Sequence, residues 1–160
     1  MNLHSAALNE LFHLLQTEEV LYRDLAGLAE GEYVLIATRD STALRQNIAD
    51  QERLIEQAAI LERGRLALVE AITGDKTTTI ETLVVHLPAE YSEKMLEMRR
   101  RLLQIVMSIE LANQRNTSLL MAMRDLVKSR INVVERGRTT YTAGARVQSA
   151  AGLSSGGWQA

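Results

Sequence analysis

The feature that most constrains this chain is a run of helical heptads in its second half. Met95, Met98, Leu102, Ile105, Ile109, Ala112, Asn116, Leu119, Met123, Leu126, Arg130 and Val133 occupy successive a and d positions, and ten of the twelve are apolar. A strand alternates with period two and could not gather such a stripe on one face, so the segment must fold as a helix that presents a seam to other helices. Counted from Ala89 to Glu135 it would extend about 70 Å. Pro88 suits its opening, because a proline ring presets the helical φ and the missing amide donor would be orphaned there anyway. Gly137 is the expected cap.

Two further helices are predicted before it. From Ser5 to Ile36, Leu14, Leu21, Leu28 and Leu35 share one heptad position, and Leu15, Tyr22, Ala29 and Ile36 share the next. Leu11 and Leu25 alternate with Glu18 and Glu32 at a third, which gives the wide stripe of a core-facing bundle helix. Thr38 to Ser41 break the pattern, and Asp40 or Ser41 can cap the helix that follows. That helix, about Ser41 to Ile72, carries Leu54, Leu61 and Leu68 at one position, Leu44, Ala58 and Ile72 at another, with Ile48, Ile55 and Val69 beside them. Thr73, Gly74 and Asp75 end it. Thr78 with Glu81 then reads as a capping box that opens a short apolar turn, Ile80 to Leu87.

The expected fold is therefore all-α: an elongated antiparallel bundle of three long helices, with a short helical turn between the second and third, over residues 1–138. Residues 139–160, rich in glycine and serine, are expected to form a flexible C-terminal tail. A third helix about a dozen residues longer than the others must project past their hairpin, unless it bends or the connection extends the bundle. Its end would carry Leu126, Val127, Ile131, Val133 and Val134 with nothing of its own chain to cover them. Apolar stripes of that kind mark partner sites.

Register devices are expected on the same helices. With the first two helices antiparallel, Glu32 comes level with Asn47 and Glu18 lies within a turn of Arg65. Asn113 and Asn116 are either a similar device or the rim of an interface. Gly27 and Gly31 are expected to permit close helix approach.

Charge is unevenly spread. Residues 1–87 hold seven Lys/Arg against fourteen Asp/Glu, and residues 88–160 hold eleven against six. The acidic half can pack on the basic half, or the basic face can be kept for a partner. Nucleic acid is not expected as that partner, because the chain is acidic overall and its aromatic content is only 4%. No cysteine is present, so disulfides and thiolate metal sites are excluded. Glu10 and His13 form a Glu-x-x-His step, but neither His4 nor His86 repeats it, so no metal or other cofactor is expected. No catalytic constellation or phosphate loop stands out, and no enzyme activity is expected. The most nearly uncharged stretch, Leu102 to Gln114, is too short for membrane insertion. Glu10 interrupts the first apolar run with no basic residue before it, so no signal peptide is expected and a cytoplasmic location is.

Four groups of residues in order carry a resemblance to a known family. They are Leu14-Leu15 through Leu21-Tyr22-x-x-Leu25, Leu61-Glu62-x-x-Arg65, Asn113-x-x-Asn116-x-x-Leu119-Leu120, and Thr140-Tyr141 followed by Gly144. Over roughly residues 5–145 the pattern resembles the FlgN type of flagellar export chaperone, although its tyrosine–glycine step is one residue shorter than that pattern leads one to expect. The resemblance implies a cytosolic helical protein without catalysis. Such a protein binds the disordered terminal segment of hook-associated (junction) proteins and delivers them to the flagellar type III export apparatus. Leu119, Leu120, Met123, Leu126, Val127, Ile131 and Val134 would then bind cargo, and Tyr141 would dock at the export gate. Met107, Met121 and Met123 would suit an adaptable groove, or fill gaps in a core. Homo-oligomerisation stays open. The alternative is a general coiled-coil adaptor or scaffold unrelated to secretion.

Overall fold

The computed structural model describes the backbone of residues 3–151 and the side chains of residues 5–135. Four helices follow one another: α1 (Leu3–Thr38), α2 (Ser41–Thr73), α3 (Ile80–Val84) and α4 (Ala89–Ala151). No strand occurs among the described residues. The chain divides into two compact units, Met1–Leu119 and Leu120–Ala160, and α4 contributes to both.

Local chemistry sets most boundaries where the sequence places them. Asp40 caps α2 by accepting from the Ala43 amide at 3.0 Å, and Arg39 before it takes a left-handed φ of 59° to reverse the chain. Gly74 ends α2 at φ 79° and donates its amide to Glu70 O, a conformation that costs glycine little. The cap of α3 is Thr79 rather than Thr78, one residue later than the capping-box pattern predicts, and its hydroxyl accepts from the Thr82 amide at 3.2 Å. Thr78 instead turns back toward the end of α2, its hydroxyl 3.2 Å from that of Thr73.

The larger correction concerns α4. It does not stop at Gly137 but runs on to Ala151, so residues 139–151, expected to begin a tail, are helical. A glycine inside a helix costs about 1 kcal/mol relative to alanine, too little by itself to end one. The remainder of the expected tail, residues 152–160, lies outside the described residues, as does the side chain of Tyr141.

In the first unit the core lies at the end closed by α3. Leu11 and Leu15 of α1, Val69 of α2, Leu83 and Val84 of α3, and Met95 and Met98 of α4 form one buried cluster. Phe12, Leu68, Ile72, Ile80, Leu87 and Leu102 pack around it. Thus α3, five residues long, buries two of them in this cluster and closes its end. Ser92 stitches α4 to it by donating to Val84 O at 2.8 Å.

Beyond this cluster, polar side chains fix the register of α1 with its two partners. Glu18 meets Arg65 at 3.5 Å, as the antiparallel register of α1 and α2 predicts. Glu32 meets Gln51 at 2.9 Å, a turn away from the expected Asn47, because Asn47 donates to Leu28 O and accepts from Gln51. From α4, Arg101 forms a two-pronged pair with Glu19 at 3.0 and 3.2 Å, and Asn116 donates to Ala29 O at 2.8 Å. Asn116 is buried and its Oδ1 has no partner, whereas Asn113 is exposed. Close helix approach falls at Gly64, where a Cβ would meet Leu14 Cδ1 at 3.1 Å, and not at Gly27, beside which nothing stands within 4 Å.

The expected contact between oppositely charged halves reduces to few groups. Arg101 reaches Glu19, Arg99 reaches Glu81 at 2.7 Å, and the Arg115 guanidinium lies 4.6 Å from the centre of the Tyr33 ring. The other ion pairs of α4 among the described residues are local.

Burial pushes the Glu18 carboxyl above its ordinary value of 4.5; the charge and hydrogen bond of Arg65 oppose the shift, and Glu62 adds to it. The folded chain therefore holds this proton more tightly than the unfolded chain. Ionising Glu18 costs stability as pH rises from about 4.5 through the raised value. Glu18→Gln, which keeps the shape, should gain stability relative to the parent between pH 4.5 and neutrality. Denaturant midpoints of both proteins across that window check this, and the opposite trend would mean that the Arg65 pair outweighs the burial.

Candidate functional site

The second unit is described as helix with side chains from Leu120 to Glu135. At about 100° per residue, Leu120, Met123, Leu126, Val127, Ile131 and Val134 fall within an arc of roughly 140°. The sequence-expected cargo residues of this unit thus share one face. Leu120, Leu126, Val127, Ile131 and Val134 are 47% to 61% exposed, and Met123 is half-buried. Leu119, the seventh residue of the expected set, is half-buried and belongs to the first unit. Val133, also exposed, stands just beyond Leu126 at the margin of the face.

Charge borders and enters this face. Arg130 lies within the arc, and Arg124 and Lys128 flank it on the side of Leu120 and Ile131. Arg124 is held by its neighbour Asp125 at 3.0 Å. Lys128 and Arg130 form no ion pair among the described residues. An apolar band with basic groups along it can take the apolar face of an amphipathic helix and attract acidic residues at that helix's margins.

Other sequence candidates are less suited to chemistry. Glu10 and His13 are both exposed, and no cluster of three metal-ligating side chains occurs among the described residues. No helix of the described residues is long and apolar enough to cross a membrane. Of the methionines proposed for a groove, Met107 and Met121 are exposed.

One surface escaped the heptad reading. Leu96, Leu103, Met107 and Leu111 lie on the side of α4 opposite Met98 and Asn116, and all four are exposed. Their spacing of seven, four and four was visible in the sequence, but it falls at the outward b, c and f positions of the heptad, where polar residues are expected and a search for the apolar seam does not look.

Compared with known proteins, the chain matches the family model described as FlgN protein over residues 1–149. No curated protein and no solved structure matches it. The matched span covers the first unit and most of the second.

Because the apolar face of the second unit is solvent-exposed, its polar replacement should leave folding intact. Leu126→Glu with Val127→Glu is expected to change helix content little and stability by about 0.5 kcal/mol or less, the usual range for surface positions. Circular dichroism and thermal melting of the double variant check this.

Proposed function

The chain belongs to the FlgN family of flagellar export chaperones, and from that premise we propose that its second unit holds the disordered terminal segment of hook-associated junction proteins. The segment would fold as an amphipathic helix along Leu120, Met123, Leu126, Val127, Ile131 and Val134, with Leu119 at its first-unit end. The observation that carries this reading is the family match through residue 149, which takes in a helix face that the described chain leaves open.

Physical chemistry supports a holding role. Ordering a disordered segment costs free energy that the apolar contact must offset, so affinity stays low enough for release. The unbranched thioether of half-buried Met123 can adapt to cargo helices that differ in detail. In this reading the chaperone works in the cytoplasm, keeps its cargo unassembled, and delivers it to the export apparatus. Tyr141, in the motif Thr140-Tyr141 followed by Gly144, would make the contact with the export gate.

The test of holding is a titration of the full chain with the terminal segment of a junction protein. Leu126→Glu with Val127→Glu should weaken binding by about a hundredfold or more, since two buried apolar contacts of about 1.5 kcal/mol each are lost. Undiminished affinity in a folded double variant would move the site elsewhere. Delivery is tested separately: Tyr141→Ala should keep cargo affinity and lower both docking to the export apparatus and secretion. An alanine variant that docks normally but melts earlier would assign the ring a structural role.

A further inference from the structure

Charge on the exposed face of the second unit is unevenly placed, both across the face and along it. Arg124 and Lys128 stand on the margin beside Leu120 and Ile131, while the opposite margin, beside Leu126, carries Ala122, Ser129 and Val133 and no charge. Arg130 lies within the face itself, between Leu126 and Val134.

Not all of these cations are available. Arg124 is held by Asp125 at 3.0 Å, and Asp125 is the one acidic residue from Leu120 to Val134. Glu135, just past the face on its charged margin, is already engaged. Lys128 and Arg130 are exposed and form no ion pair among the described residues. The stretch from Leu120 to Val127 therefore offers apolar side chains and no free charge, whereas the stretch from Lys128 to Val134 adds two free cations to Ile131 and Val134.

These cations discriminate among helices that the apolar side chains alone would hold alike. An uncharged amphipathic helix laid on the face strips water from Lys128 and Arg130 without giving them a partner, which costs free energy. A carboxylate at the same place replaces the lost water, and charge pairs across an interface fix orientation and suppress wrong partners. Because the free cations crowd one end, only a helix with its acidic residues gathered at one end can meet them while its apolar side chains meet Leu120, Met123 and Val127. Resting on the holding role proposed above, we infer that the segment this face takes is an amphipathic helix acidic at one end, and that Lys128 and Arg130 recognise that end and so set the direction in which the segment lies.

The test presents two synthetic peptides of about five helical turns to the full chain. Both carry leucine at the a and d positions; one has glutamates beside the leucines in its first two turns, and in the other these are glutamine. At low salt the acidic peptide should bind about fivefold tighter or more, the worth of two partly exposed ion pairs, and its advantage should shrink as salt is raised. Lys128→Gln with Arg130→Gln should bind both peptides alike with helix content unchanged, while Leu126→Glu with Val127→Glu should weaken both. Direction is read by cross-linking, since the chain has no cysteine. A cysteine at the acidic end of the peptide should form a disulfide with Val133→Cys and not with Ala122→Cys, two positions about 16 Å apart along the uncharged margin. Equal affinity of the two peptides for the parent chain overturns the inference, as does a parent chain that binds neither, a preference that survives the double glutamine replacement, or cross-linking to Ala122→Cys instead. The holding role fails separately. If the acidic peptide is preferred but a junction segment is not held, the recognition stands and the junction cargo is wrong; a junction segment held equally by the parent and the double glutamine variant keeps the holding role and overturns this inference.

Discussion

The first unit depends on one contact: Met95 and Met98 of α4 seated against Leu11 and Leu15 of α1 and Val69 of α2, with Leu83 and Val84 of α3 closing its end. An aromatic-poor chain must build its core from flexible and branched aliphatics. Methionine, with three rotatable bonds, adapts to the irregular space where four helices converge. Gly74, Asp75 and the Thr79 cap exist to bring α3 over this cluster, and Pro88 turns the chain from α3 into α4. Toward the α1–α2 turn, Leu21, Leu25, Ala29, Ile36 and Ala112 stay buried, and polar contacts among Glu18, Arg65, Asn47, Gln51, Glu32 and Asn116 are interleaved with them. These set alignment more than they add stability, since a buried polar pair must first lose its water. The unit is therefore held by apolar packing along its length and aligned by these polar pairs.

α4 divides its apolar residues among different tasks. Up to Leu119 it offers a buried face to α1 and its neighbours and an exposed face to solvent. From Leu120 to Glu135 it presents an apolar face with basic groups in and beside it. A chaperone has reason to combine such roles, because cargo must be held without sharing the contacts that fold the protein. Changes to the exposed faces can then alter recognition while the Met95–Met98 cluster continues to hold the fold.

Much of this was legible in the residues because helix periodicity and cap chemistry are local. Asp40, Gly74 and the start of α4 after Pro88 are found where their chemistry puts them, and Glu18 and Arg65 meet as an antiparallel register requires. What local reasoning could not supply was three-dimensional choice. Gly137 can cap a helix or continue one, and α4 continues through it. Glu32 could reach Asn47 or Gln51, and Asn47 was already committed to Leu28 O. Gly27 and Gly64 both lie within helices, yet only Gly64 faces a neighbour closely. The six second-unit residues of the candidate face were recognisable from their spacing, while the Leu96–Leu111 stripe lies on the face away from the core heptad, where apolar residues are not sought.

If the second unit holds cargo as proposed, the first should keep its own structure when cargo binds. Amide hydrogen exchange on the full chain, with and without the terminal segment of a junction protein, tests it most directly. The account predicts added protection along residues 120–134, and unchanged exchange in α1, α2 and α3. Protection gained chiefly along α1 and α2, with residues 120–134 exchanging as in the free chain, would contradict it.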